Sequence, residues 1–391
     1  MSARIQRGWL TAAVGLLALF GLVYGYMGTH SGARAPLLTA GGRTESPTFT
    51  VRRGVNLEGW LDQPQFSGLD SAQLAQLPRV RAAGFDFVRL LVNPVALLDS
   101  RGQGPGSTEM AAGVRQVLAA ARQADLKVLV SFYTDDAHQK AAVLEDGQAQ
   151  ETYLALLEQT ARLLAPSGPQ WVAFEPITEA ADCGISASNW MGLQSKFVRA
   201  ARRGDPALTL MISGACYSDY DSLTDLRPLN DPNILYSFLY VEPLLFTQQG
   251  NPENPDWASF RNVPYPFGAE QLSPVLRSVL ASVPDPDRRA AVRQAFHDLS
   301  QADFSRGTLR GQIARAGQWA SRHSVTVVLS AFAVRVSAPS KDRGRWFSDV
   351  RQAAEANRMP WAVWSWTSPF GFEVSENGVL QPQIKAALGL P

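Results

Sequence analysis

From residue 51 onward, apolar residues gather in short continuous runs, at 54–61, 85–92, 127–133, 171–177, 208–213, 234–240, 326–334 and 360–366. Runs of this length without polar alternation predict strands covered on both faces. Between them, apolar positions recur at helical spacing. Met110, Val114, Leu118 and Ala121 form one stripe, and Tyr153, Leu157, Thr160 and Leu164 a second. Trp190, Leu193, Phe197 and Ala201 form a third, and Trp346, Val350 and Ala353 a fourth. Eight strands alternating with helices predict an α/β fold, a single (β/α)8 TIM barrel over residues 51–391. The alternative, a doubly wound sheet, lacks a Gly-x-Gly-x-x-Gly after any strand. The interval between the sixth and seventh strands, residues 241–325, is long. It holds a Pro- and Asn-rich stretch at 251–266 and two predicted helices, 286–303 and 308–323. Long insertions in barrels sit in the loops after strands, on the ligand-binding face.

The N-terminus has a different pattern. Arg4 and Arg7 lie in a basic tail, 1–8, before an uncharged stretch from Trp9 to Met27. Nineteen residues of helix rise roughly 28 Å, the hydrocarbon thickness of a bilayer. Trp9, Tyr24 and Tyr26 stand near its ends, where amphipathic rings favour the interface. The expectation is an uncleaved single-pass anchor at 9–27 in a bacterial inner membrane, with the tail cytoplasmic and the barrel facing the periplasm. Cleavage at Ala33-Arg34-Ala35, giving a secreted protein, is the alternative. Residues 28–50, rich in Gly, Ser, Thr, Ala and Pro, read as a flexible linker.

Composition narrows the function classes. Charged residues are 18%, and 36 Lys+Arg balance 35 Asp+Glu to a net charge of +1. That balance excludes a dedicated nucleic-acid binder. Two cysteines exclude a disulfide-dense scaffold, and four histidines argue against a His-rich metal centre. No metal or cofactor is expected.

In a barrel, the residues ending each strand line the site. They include Asn56, Glu58 and Trp60 on the first strand, Arg89 on the second, and Tyr133, Asp135 and Asp136 after the third. Glu175, Thr178 and Glu179 follow on the fourth, Cys216 and Tyr217 on the fifth, Tyr240 and Glu242 on the sixth, Ala331 on the seventh and Trp364 on the eighth. The rings of Trp60, Tyr133, Tyr217, Tyr240 and Trp364, interleaved with carboxylates and Arg89, suit sugar rings, whose C–H faces stack on aromatics. The competing reading makes each aromatic core filler. Cys183 and Cys216 follow neighbouring strands and are candidates for a disulfide in an oxidising compartment, the alternative being two free thiols.

Several segments resemble glycoside hydrolase family 5, the cellulase-like retaining β-glycosidases. They are R-G-V-N-L-E-G-W (53–60), G-F-D-F-V-R-L (84–90), F-E-P-I-T-E (174–179), Y-S-F-L-Y-V-E-P (236–243), F-T-Q-Q-G (246–250), V-P-Y-P (263–266) and W-A-V-W-S-W (361–366). The resemblance implies a (β/α)8 barrel with an acid/base Glu after the fourth strand and a nucleophile Glu ending the seventh. Glu179 matches the acid/base, preceded by Thr178 where the family has Asn. Leu239 and Gln248 stand where the family has His. Gly-Glu-Phe-Gly on the seventh strand appears here as Ser330-Ala331-Phe332-Ala333, so the nucleophile position is Ala331.

Retaining hydrolysis needs two carboxyls about 5–5.5 Å apart, and a methyl group can neither attack the anomeric carbon nor stabilise the cation. The expectation is a membrane-anchored pseudo-glycosidase that binds a β-glucan-type polysaccharide within an exopolysaccharide synthesis or secretion system, together with its secretion proteins. Two alternatives remain. One is an active β-glucanase pairing Glu179 with a relocated carboxylate: Asp135, Asp136, Glu58 or Glu373. The other is a protein-interaction scaffold with a closed cleft.

Overall fold

The computed structural model describes residues 47–63, 68–97, 105–134, 136–180, 183–253, 258–300 and 305–391. The tail at 1–8, the segment at 9–27, most of the linker and Asp135 lie outside them. Among the described residues no helix is long and apolar enough to cross a membrane.

Eight parallel strands close into a barrel: β1 (Arg53–Leu61), β2 (Phe87–Val92), β3 (Lys127–Phe132), β4 (Val172–Glu175), β5 (Thr209–Ser213), β6 (Ile234–Tyr240), β7 (Thr326–Phe332) and β8 (Trp361–Val363). β1 pairs with β2 on one side and β8 on the other, which closes the ring. Each strand falls within a predicted apolar run or extends it by one residue. β4 and β8 are shorter than their runs because Pro176 cannot donate to a ladder and the chain turns after Val363.

Helices cover the outside. α1 (Leu77–Ala82), α2 (Pro105–Gln123), α3 (Ala137–Leu144), α4 (Gln148–Leu164), α5 (Ala187–Gly204) and α6 (Tyr220–Thr224) precede the insertion. α7 (Ala269–Ser282), α8 (Pro286–Ser300) and α9 (Arg306–His323) lie between β6 and β7, and α10 (Ser340–Ala356) follows β7. The four predicted stripes on α2, α4, α5 and α10 are all buried. α8 and α9 stand where helices were predicted. The sequence pattern does not predict α7, since Gly268 at its N-cap has no side chain and Pro274 lies inside it.

The floor of the barrel is apolar. Phe87, Leu129, Ala173, Met211, Leu235, Val328 and Ala362, one each from β2 to β8, form a single cluster. β1 contributes Gly54 instead, because a Cβ there would lie 2.4 Å from the Phe87 ring. Phe49, 1% exposed, closes this cluster from below. Its N–H donates to Thr209 Oγ1 (3.1 Å), the Thr48 N–H donates to Asn233 Oδ1 (3.0 Å), and Lys127 Nζ donates to the Thr50 carbonyl (2.7 Å). The expected linker therefore stops short of residue 50. Its last residues are a strap across the floor, where the buried phenyl ring and these hydrogen bonds together offset the entropy of ordering a few residues.

Near the opposite end, three strand pairs break step. The β1–β2 register shifts between Leu57 and Leu61, with Gly59 at φ +78°. The β6–β7 register shifts between Phe238 and Leu239, and the β7–β8 register between Leu329 and Phe332. Bulges of this kind re-aim side chains at barrel rims.

Candidate active site

The middle of the barrel is a buried polar layer resting on the apolar floor. Arg89 Nε donates to Ser131 Oγ (2.9 Å) and to Glu175 Oε2 (3.1 Å). Its Nη2 donates to Glu175 Oε2 (2.6 Å) and Thr178 Oγ1 (2.8 Å), and its Nη1 to Asn56 Oδ1 (3.1 Å). Ser131 Oγ and Ser237 Oγ donate to the two oxygens of Glu175, at 2.6 and 3.3 Å. Asn56 Nδ2 is shared between the carbonyls of Ser330 (3.1 Å) and Val363 (3.2 Å), linking β1 to β7 and β8. Arg89 is 1% exposed and Glu175 fully buried, so the pair survives only because the surrounding hydroxyls and amide satisfy it.

Above this layer the mouth opens. Glu179 follows β4 with φ +53°, in the left-handed region. Its N–H donates to Ser218 Oγ (3.0 Å), and Ser218 Oγ donates to Ser213 Oγ (2.9 Å). Tyr217 and Ser218 also have positive φ, and the Tyr217 N–H donates to the Ala180 carbonyl (2.9 Å). Cys183 and Cys216 are joined by a disulfide, Cα–Cα 4.3 Å, which ties together the same two loops. Strained backbone of this kind persists only where neighbours over-determine it.

Glu179 keeps part of its surface open while its carboxyl lies deep. Burial pushes that carboxyl up, against the opposing charges of Lys140 and Arg89, and nearby Glu175 adds to the rise. Lys140 Nζ donates to the Glu179 backbone carbonyl (3.1 Å) and lies 5.2 Å from the Tyr133 ring. Burial and the Glu179 charge together raise the Tyr217 phenol. Glu179, Lys140, Tyr133 and Tyr217 thus form one side of the mouth.

The other side is built on β1, β7 and β8. Trp364 Nε1 (3.1 Å) and Ser365 Oγ (3.2 Å) donate to Glu58 Oε2. Burial lifts the Glu58 carboxyl to about 7, with Asp62 adding to the rise and hydrogen bonds from Ser368, Ser365 and Trp364 opposing it. On β7, Val328 belongs to the floor cluster while Phe332 packs outward on Trp346 and Phe347 of α10. Between them the β6–β7 register shifts, and Ala331, 5% exposed, pairs with Leu239 near the end of the strand.

Two expected sugar contacts are corrected. Tyr240 points away from the barrel axis: its hydroxyl donates to Gln312 Oε1 of α9 (2.6 Å), and its ring stacks on Trp346 at 6.1 Å. Leu235 and Ser237 face inward, so the alternation of β6 carries Tyr240 into the helix layer, where it is 2% exposed. Trp60, beyond the bulge of β1, is 3% exposed and offers no open ring face. Tyr133, Tyr217 and Trp364 remain half-buried at the mouth, and Arg89 and Thr178 lie beneath it. Asp136 is spent as the N-cap of α3, accepting from the His138 and Gln139 N–H groups. Sequence reasoning missed Lys140, which sits on a helix without a marked apolar stripe.

The Cellulase (glycosyl hydrolase family 5) pattern matches residues 52–369. The chain belongs to glycosyl hydrolase family 5. Endoglucanase C of Acetivibrio thermocellus is 21% identical over 327 residues, covering 81% of this chain and 91% of that protein. Endoglucanase 3 of Fibrobacter succinogenes is 24% identical over 245 residues, covering 61% of this chain and only 36% of that longer protein. The same fold occurs in the clostridial cellulose synthase subunit Z from Clostridioides difficile, with TM-score 0.69, 20% identity, and 87% and 99% coverage of the two chains. Endoglucanase Cel5A from Thermotoga maritima superposes with TM-score 0.66, 18% identity, and 86% and 96% coverage. In this family 5 barrel, no group of three or more His, Cys, Asp or Glu able to hold a metal occurs among the described residues.

Proposed function

We propose that this family 5 barrel binds a β-linked glucan in its mouth and has lost the retaining reaction. What carries the reading is Ala331, which stands near the end of β7 at the sequence position where the family resemblance calls for the nucleophile. Glu179 keeps the raised carboxyl an acid needs, but its partner carboxylate is missing. Glu58 already accepts at Oε2 from Trp364 and Ser365, which disfavours it as the substitute. Asp136 is engaged by a helix terminus. The partly open rings of Tyr133, Tyr217 and Trp364 support a glycan over a closed, protein-binding cleft.

The wider role follows from the same reading. An anchor at residues 9–27 would hold the barrel on the periplasmic side of an inner membrane, beside polysaccharide being made or exported. The likeness to a cellulose synthase subunit supports that setting. Titration calorimetry with cello-oligosaccharides tests the binding. The wild-type protein should bind, and Trp364→Ala should lose at least tenfold in affinity with little change in melting temperature. No binding by the wild type, or unchanged affinity in a strongly destabilised Trp364→Ala protein, would overturn the reading.

A further inference from the structure

Where the strap enters β1 and the turn after α10 enters β8, the floor of the barrel carries a pocket of about 420 Å³. Val51, Met359, Pro360 and Trp361 give it apolar walls, and Arg52, Arg53 and Arg358 give it charge. The acidic groups beside it are already engaged. Glu355 accepts from Arg53 Nη2 (3.3 Å), Arg351 Nη1 (2.6 Å) and Trp361 Nε1 (3.3 Å). Asp86 accepts the Arg52 and Arg53 N–H groups, each at 3.0 Å. The side chains of Arg52 and Arg358 are exposed and meet no hydrogen-bond or ion-pair partner among the described residues. The same holds for Arg322, in the last turn of α9. That helix packs so closely on the end of α10 that a Cβ at Gly317 would meet Asn357, the neighbour of Arg358. Cations at helix C-termini offset the macrodipole, which accounts for Arg322 and Arg358 but not for Arg52 and Arg53 at the start of a strand.

Unengaged guanidiniums around an apolar-walled recess suit negative oxygens carried on an apolar stem. The guanidinium fork matches phosphate in a bidentate manner. A free phosphate would use the forks and leave the walls wet, and a neutral sugar would leave the charges unanswered. The path of the chain supplies the setting, because residues 1–46 join the barrel at this floor, through the strap that Thr48 and Phe49 hold in place. If residues 9–27 are an anchor, residues 28–46 would span roughly 25 Å as a coil, which brings this face within reach of a lipid surface. We propose that the floor pocket takes the phosphate of an anionic phospholipid headgroup, so that the barrel stands floor-down on the membrane with its mouth turned away. The inference rests on the anchor proposed above and adds an orientation that a tether alone does not set.

The test uses the full chain with vesicles of phosphatidylcholine alone and of phosphatidylcholine and phosphatidylglycerol in a two-to-one ratio, read by flotation and by amide hydrogen exchange. On the mixed vesicles, exchange at 51–53 and 358–361 should slow by about tenfold or more relative to phosphatidylcholine, while exchange at the mouth stays the same. Joint Arg52→Gln and Arg358→Gln substitution should remove the slowing, each arginine contributing about fivefold. Neither side chain has a partner to lose, so the melting temperature should hold. High salt should weaken the slowing in the wild type without any substitution. Equal exchange on the two kinds of vesicle would overturn the pocket and leave the anchor standing. The same slowing produced by inorganic phosphate on phosphatidylcholine vesicles would overturn the lipid source. Flotation with the mixed vesicles alone would overturn the anchor and support the pocket, and flotation with neither would overturn both.

Discussion

The floor and the mouth of this barrel are made from the same eight strands, but their side chains obey different rules. At the floor, each of β2 to β8 gives one apolar side chain to a single cluster, and a strap from the N-terminal side adds Phe49. Every position there is explained by packing, down to Gly54, which leaves room for Phe87. At the mouth, strand registers slip, three non-glycine residues take positive φ, and charged groups replace apolar ones. The polar layer of Asn56, Arg89, Ser131 and Glu175 divides the two regions. The difference teaches where a fold is maintained by packing and where it is maintained for recognition. On the proposed reading, a change of residue at the mouth leaves the floor untouched.

The comparison can be broken by substitution, and the largest effect should come at the boundary. Arg89→Ala leaves Glu175 fully buried and without its cation, and should cost about 3–5 kcal/mol in denaturant-induced unfolding. A loss under about 1 kcal/mol would mean that the layer is solvated and the division weaker than drawn. At the floor, Phe49→Ala should cost about 3 kcal/mol, with oligosaccharide affinity unchanged. Loss of affinity there would couple floor to mouth and undo the contrast.

The smallest effect is a pH dependence arising at the mouth. The Glu58 carboxyl rises from its ordinary 4.5 to about 7 on folding, so the folded state holds that proton more tightly than the unfolded chain. Its contribution to stability is full below about pH 4.5 and is lost as pH rises through about 7. Melting temperature should therefore fall from about pH 5 to about pH 8, and Glu58→Gln should flatten part of that slope. Glu242, whose half-buried carboxyl is also raised to about 7 by desolvation, supplies another part. An unchanged slope in Glu58→Gln would place Glu58 in open solvent rather than under Trp364.

Most of the fold was legible in the sequence, because strands covered on both faces leave continuous apolar runs and their covering helices leave stripes. The floor strap was not, since Phe49 is one ring in a stretch otherwise rich in Ser, Thr and Pro. The same continuity that reveals a buried strand hides its phase. Tyr240 and Leu239 look alike in such a run, and only the inward Leu235 and Ser237 show which faces the axis. Trp60 misled for a related reason, since a bulge at Gly59 changes direction without a change in composition. The strand-end positions of Glu179, Ala331, Arg89 and Trp364 were legible because motifs in order on successive strands fix their level in the barrel. Lys140 was not, because its helix α3 carries no marked apolar stripe that would show which face meets the barrel.

The central claim is that the mouth holds a glucan but does not cleave it by the retaining route. Product analysis of cellohexaose incubated with the wild-type protein, beside a Glu179→Gln control, tests this most directly. The account predicts no shorter oligosaccharide above the control, since losing one member of a catalytic unit elsewhere costs about 10⁴–10⁶ in rate. Shorter products accumulating with the wild-type protein, and absent with Glu179→Gln, would contradict it and assign a working second carboxylate to this mouth.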